Sequence, residues 1–236
     1  MTKRLVIWLS ITILSFIVLV ILANKLFFVE EDYRSPGTFS SYPNSGLYEI
    51  DPETILGVLN QGEIGVFTPF FGDWDRDEPH YDSIAWTQSE YLKITNALSQ
   101  ETWNEPLDLE NWKLMYISLE QDCKENPRGF HTFTLVYYKP LGIINGERKY
   151  TTRLIEMFPW KGIIRWGGDA VFSAPLIPGW DSIDLNDFKI TADDALQIAE
   201  KNGGRDARLK VDNNCQTALR ITDNNWIVDY DRRPLA

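Results

Sequence analysis

The longest apolar run opens the chain: no charged side chain occurs from Leu5 to Asn24. At about 1.5 Å per helical residue, such a run matches the roughly 30 Å hydrocarbon core of a bilayer. It is longer than the apolar part of a cleavable leader, and "LANKLFF" offers no small-residue cleavage pattern. The pattern predicts an uncleaved transmembrane signal anchor at 5–24. Lys3 and Arg4 lie before it, so residues 1–4 are expected to stay cytoplasmic and the rest to be extracytoplasmic.

Beyond the anchor the periodicity changes several times. Residues 25–48, acidic and then rich in Ser, Pro, Gly and Tyr, read as a linker. "IDPETILGVLNQGE" predicts a helix with Asp51 as N-cap, Pro52 in its first turn and an apolar stripe of Ile55, Leu56, Val58 and Leu59. A second helix starts at Thr87, where Glu90 completes a capping box and Trp86 and Tyr91 form a hydrophobic staple. Four aromatic and β-branched runs follow at 112–120, 130–138, 151–158 and 162–166, with turn residues between them. Connections this short predict an antiparallel meander. After a Pro/Gly connector at 173–180, "KITADDALQIAEKNGG" predicts a helix capped by Thr191 and stopped at Gly203–Gly204. Three short strands, "ARLKVD", "TALRIT" and "WIVDY", are expected after it.

Charge narrows the partners. Three of the 23 basic residues and none of the 34 acidic ones precede Leu26, which leaves 26–236 at −14. A field of that sign disfavours nucleic acid and anionic lipid surfaces. Cys123 and Cys215 both fall in the exported part, where they either form one disulfide or remain as two buried thiols. The sequence holds no nucleophile elbow, HExxH, P-loop or dinucleotide fingerprint, and so no catalytic residue is selected. The only histidines, His80 and His131, are too far apart in sequence to form a local zinc motif. The densest candidate chemistry is "DWDRDEPHYD", in which Asp73, Asp75 and Asp77 resemble part of a calcium loop. Glu78 stands where such a loop needs Gly, and Ile84 where it needs Glu. Calcium is the one cofactor these residues suggest, and a solvated acidic loop is the alternative. Trp74, Tyr81 and Trp86 around that loop suggest a sugar-stacking platform.

The two capped helices share T-x-x-[ED]-x-L-x-I in register, at 87–94 and 191–198, and each precedes a run of strands. The second unit resembles a PepSY module over about residues 188–231. Ile190, Thr191, Asp193, Asp194, Ala195, Ile198 and Ala199 fit the helix pattern of that family, and Trp226, Val228 and Tyr230 its closing strand. Residues 86–166 echo it more weakly, with Tyr91 standing where Ala is expected. The resemblance implies an exported α+β module that binds protein or peptide, inhibits a peptidase or localises a partner, with no shared catalytic residues.

These readings combine into an α+β protein. A transmembrane helix precedes a first unit at 49–180 and a PepSY-like unit at 181–236, the two being degenerate copies of one helix-plus-sheet design. The expected role is a membrane-anchored extracytoplasmic binding or regulatory module, non-enzymatic, with an envelope protein or peptide as partner. The alternatives are an exported hydrolase or metal-dependent enzyme centred on 73–82, and a structural envelope component.

Overall fold

A computed structural model describes residues 42–61, 67–72, 85–107, 110–124, 129–174, 182–222 and 224–232. The apolar run at 5–24 lies outside them. No helix among the described residues is long and apolar enough to cross a membrane. The chain runs β1 (Asn44–Glu49), α1 (Pro52–Gln61), β2 (Thr68–Pro69), α2 (Gln88–Trp103), β3 (Lys113–Asp122), β4 (Thr132–Ile144), β5 (Glu147–Phe158) and β6 (Ile163–Ala174). It continues through α3 (Ala192–Ala199), a π turn (Glu200–Gly204), α4 (Arg205–Leu209), β7 (Cys215–Thr222) and β8 (Asn225–Arg232). All eight strands join one antiparallel sheet in the order β2-β1-β6-β5-β4-β3-β7-β8. The fold is therefore mixed α/β around a single sheet.

Strand alternation selects which face takes the helices. Ile117 and Leu119, Phe133, Leu135 and Tyr137, Ile155 and Met157, and Leu219 and Ile221 recur at period two and share one core. Tyr91, Ile94 and Leu98 of α2, with Ala195 and Leu196 of α3, complete it. Each such aliphatic or aromatic side chain contributes about 1.5–3 kcal/mol when buried. Tyr91 stacks on Phe133 with ring centroids 4.4 Å apart, and its hydroxyl donates to the Phe130 carbonyl at 2.5 Å. The opposite face holds a smaller cluster of Tyr42, Met115, Val136, Tyr138, Tyr150, Leu154 and Ala170.

Local capping was readable from the sequence. The Asp51 carboxylate accepts from the Thr54 N–H at 2.9 Å. Both Thr87 and Thr191 form reciprocal capping boxes, with Glu90 and Asp194 respectively. Trp86 meets Tyr91 edge-on at 5.3 Å, as a staple should.

Three expectations need correction. The end of the 25–48 linker is strand β1, which pairs along its length with β6; Gly46 lets the Trp166 ring lie against its backbone, where a Cβ would come within 2.9 Å. "ARLKVD" is not a strand. The kink at Asn202 and Gly203 (φ +112) interrupts the helix, and the chain re-enters helix at Arg205–Leu209. Arg208 fixes that turn by bonding to Glu200, Asn213 and the Cys123 carbonyl. Finally, strands from both sides of residue 180 share the sheet, with β7 lying directly beside β3.

Candidate functional site

The two ends of the sheet differ. At one end β2 contributes two residues, one of them Pro69, which has no N–H to offer a further strand. At the other end β8 contributes eight residues without proline, and it is the last strand among the described residues. Asn224 turns the chain in the left-handed region (φ +58), so that Thr222 faces Asn225 as the closing pair of a two-residue hairpin. The closing pair of such a hairpin exchanges both of its bonds, and alternation then directs the backbone groups of Trp226, Val228 and Tyr230 outward. Their side chains nevertheless point to the helices. Trp226 and Val228 pack on the main core, the Trp226 indole donates to the Ile190 carbonyl at 3.2 Å, and the Tyr230 hydroxyl donates to Glu200 at 2.8 Å. Ile227, Asp229 and Asp231 occupy the other face, with Asp229 paired to Arg220 at 3.1 Å.

Three devices hold this edge in place. A disulfide joins Cys123 to Cys215 across the ends of β3 and β7, with Cα atoms 5.3 Å apart and a sequence separation of 92. The Cys123 N–H donates to the Cys215 carbonyl at 3.1 Å, which extends the ladder past the bond. Arg208 grips Glu200 through Nε and Nη2 and reaches Cys123, so that α4, the π turn and the disulfide form one unit. Burial pushes the Glu200 carboxyl up, but hydrogen bonds from Arg208 and Tyr230 outweigh it and hold the group below its usual range.

The third device joins the helices. The N-termini of α2 and α3 meet, and the Asp193 carboxylate accepts from the Gln88 N–H at 2.9 Å while the Gln88 side chain accepts from the Ala192 N–H at 2.6 Å. Two positive helix ends thus share one carboxylate, a favourable arrangement for the dipoles. Burial raises the Asp193 carboxyl above its usual pKa, with Asp194 and Glu90 adding to the rise against the Gln88 hydrogen bond.

A second cluster was missed from the sequence. Arg153 on β5 is 7% exposed and lies between the rings of Trp103 and Trp112, its guanidinium 4.7 and 4.1 Å from the two centroids. Its Nη2 meets Glu105 at 2.9 Å, and Lys139 meets the same carboxylate at 3.3 Å. The Trp112 N–H adds to the field at Glu105 without forming a well-directed hydrogen bond. A bulge opposite Arg153, where Asp169 adopts φ +59, brings Gly168 against Trp103. Arg153 shares a face with Thr151, Ile155 and Met157, so an arginine on an apolar period-two face was the available signal.

Of the residues singled out in the sequence, Cys123 and Cys215 are brought together. Asp73, Asp75 and Asp77 lie outside the described residues, as do His80, Trp74 and Tyr81. Trp86 is buried and bridged to Phe130, which makes it a core residue rather than part of a sugar platform. Among the described residues no group of His, Cys, Asp and Glu is placed to hold a metal. No family model, no curated protein and no solved structure matches this chain.

Proposed function

We propose that the chain is a single-pass, membrane-anchored extracytoplasmic module that takes an extended peptide segment of a partner along β8. The observation that carries this reading is the contrast between the two sheet ends: β8 is long, braced from behind and without proline or a break in its pairing with β7. Asp231 and the Arg220-paired Asp229 on β8 itself, in a chain of net charge −11, favour a segment bearing Lys or Arg. A disulfide buried at both cysteines fits an oxidising compartment, and the 20-residue apolar run fits an anchor. The resemblance to PepSY modules belongs to the same reading: α2-β3-β4 and α3-β7-β8 each follow a capping box, and β3 and β7 lie antiparallel side by side.

Val228→Pro tests the reading, because it removes an outward N–H and leaves the inward ladder bonds intact. With a photocrosslinker at Ile227 of the anchored protein, which is 37% exposed, the parent should capture an extracytoplasmic protein and the variant should lose at least about tenfold of that yield. Charge reversal at Asp229 and Asp231 is a second variant that keeps the backbone, and it should lower capture of basic segments. Equal yields from parent and both variants would exclude β8 as the binding edge.

A further inference from the structure

The far end of the β4–β5 hairpin is built unlike the rest of the surface. Phe133 and Leu135–Tyr138 are buried, but Pro140–Ile144 are all exposed, with Leu141 at 44%, Ile143 at 68% and Ile144 at 44%. Val171, on the neighbouring strand β6, is 58% exposed. Singly exposed aliphatics are ordinary, whereas three within four residues leave both faces of one strand end apolar, Ile143 opposite Arg148 and Ile144 opposite Glu147. The turn is tight: Asn145 and Gly146 both take positive φ (55° and 83°), which suits a two-residue hairpin. Arg148 and Lys149 follow at once, Lys149 paired with Glu147 at 2.6 Å, and Glu147 is the only acidic residue between Thr132 and Ile155. This tip is therefore a local exception in an acidic chain.

The point where the preceding chain enters suggests what covers the tip. Tyr42, the first described residue, packs with Tyr138 and Tyr150 at the foot of the hairpin, where Tyr150 pairs with Pro140. Seventeen residues separate Asn24, the end of the apolar run, from Tyr42. Fully extended they reach at most about 60 Å. A run inserted in a bilayer would keep Tyr42 within that distance of the lipid surface, and tethering turns a weak contact into an effective one. The acidic remainder of the chain opposes approach only at short range, since fields are screened beyond about 8 Å at physiological ionic strength.

We propose that the tip formed by Leu141, Ile143 and Ile144 docks on the lipid surface of the membrane that the N-terminal run enters. The docking rests on the anchored reading given above. It would fix which side of the sheet faces the membrane and leave β8 to meet partners.

The full chain is reconstituted into vesicles of phosphatidylethanolamine and phosphatidylglycerol, carrying a single fluorophore at Ile143→Cys, Leu209→Cys or Leu14→Cys. The native cysteines are bonded and 1% exposed, so only the introduced thiol reacts. Nitroxide-bearing lipid should quench the label at 143 several-fold more than the label at 209, iodide should show the reverse order, and adding Ile144→Asp should reduce the lipid quenching at 143. Iodide quenching at 143 equal to that at 209 would overturn docking. Shielding of 143 from both quenchers would also overturn it, by placing the tip against protein such as a second copy. The label at 14 reports the anchor separately: if nitroxide lipid does not quench it, the anchored reading fails whatever the hairpin does.

Discussion

The two ends of the sheet are opposite solutions to one problem. A terminal strand leaves a row of unpaired backbone groups that any extended chain can join. At the β2 end the terminal strand is two residues long, includes Pro69 and, among the described residues, covers only Tyr48 and Glu49 of β1. At the β8 end it is eight residues long, and the surrounding structure strengthens it: a disulfide fastens β7 to β3, Arg208 and Glu200 brace the helical side, and Trp226 and Tyr230 tie the strand to Ile190 and Glu200. One end finishes in a two-residue strand with a proline, the other in a long strand that its neighbours reinforce. Reinforcement of an exposed edge is what a binding surface needs, because a peptide added to a fraying strand gains little.

The comparison breaks most readily at the disulfide. Cys123→Ser with Cys215→Ser should cost about 2–5 kcal/mol in denaturant unfolding, since the bond closes a long loop. A loss below about 1 kcal/mol would mean that the β7–β8 pair is held mainly by packing. Next in size is Arg208→Met, which leaves Glu200 half-buried without its cation. We expect a loss of about 2 kcal/mol, and Tyr230→Phe should cost about 1 kcal/mol. Hydrogen exchange would show both losses as faster opening of β8 amides, and unchanged exchange there would remove the brace from the account.

A smaller effect comes from pH. Asp193 has a folded pKa above its ordinary value of 3.8, mainly through burial. Its contribution to stability is therefore fully present below that ordinary value and is lost as pH rises through the raised one. Asp193→Asn should flatten that part of the stability–pH curve while keeping the acceptor for Gln88, and a curve superimposable on the parent's would contradict the assignment. Smallest is the other edge. Pro69→Val restores one N–H and should produce at most weak, concentration-dependent association in sedimentation. Strong dimerisation of that variant would show that proline, rather than shortness, closes the β2 end.

Interactions within about four residues were legible in the sequence, and long-range ones were not. Thr87 with Glu90, Thr191 with Asp194 and Trp86 with Tyr91 could be read because a cap or a staple is a local bond with a fixed spacing. The strand runs were legible too, although β4 and β6 extend well past the apolar stretches that announced them. β1 was hidden because its partner, β6, is more than a hundred residues away, and "NSGLYE" carries turn residues that suit a linker equally well. Helix at Arg205–Leu209 depends on Arg208 reaching Glu200 and the Cys123 carbonyl, and neither bond is visible in "ARLKVD". Of the candidate site, Trp226, Val228 and Tyr230 were noticed for their side chains. Their role as an edge depends on the sheet order, which emerged only from the fold.

The bond between Cys123 and Cys215 also sets an order of assembly. β3 can pair with β4 as soon as that hairpin has been made, and the β3–β6 meander can form early from short connections. The other side of β3 must wait for β7, which arrives 92 residues after Cys123. Until then β3 is itself a bare sheet edge with a free thiol at its end, chemically distinct from every later state of the chain. Joining of the two thiols, with an oxidant of the compartment taking up their two electrons, marks the moment at which one open edge is exchanged for another, so thiol reactivity at Cys123 is a clock for maturation. A chain stalled before residue 215 would display an unpaired edge at β3, in the middle of the future sheet, and would be expected to aggregate through it.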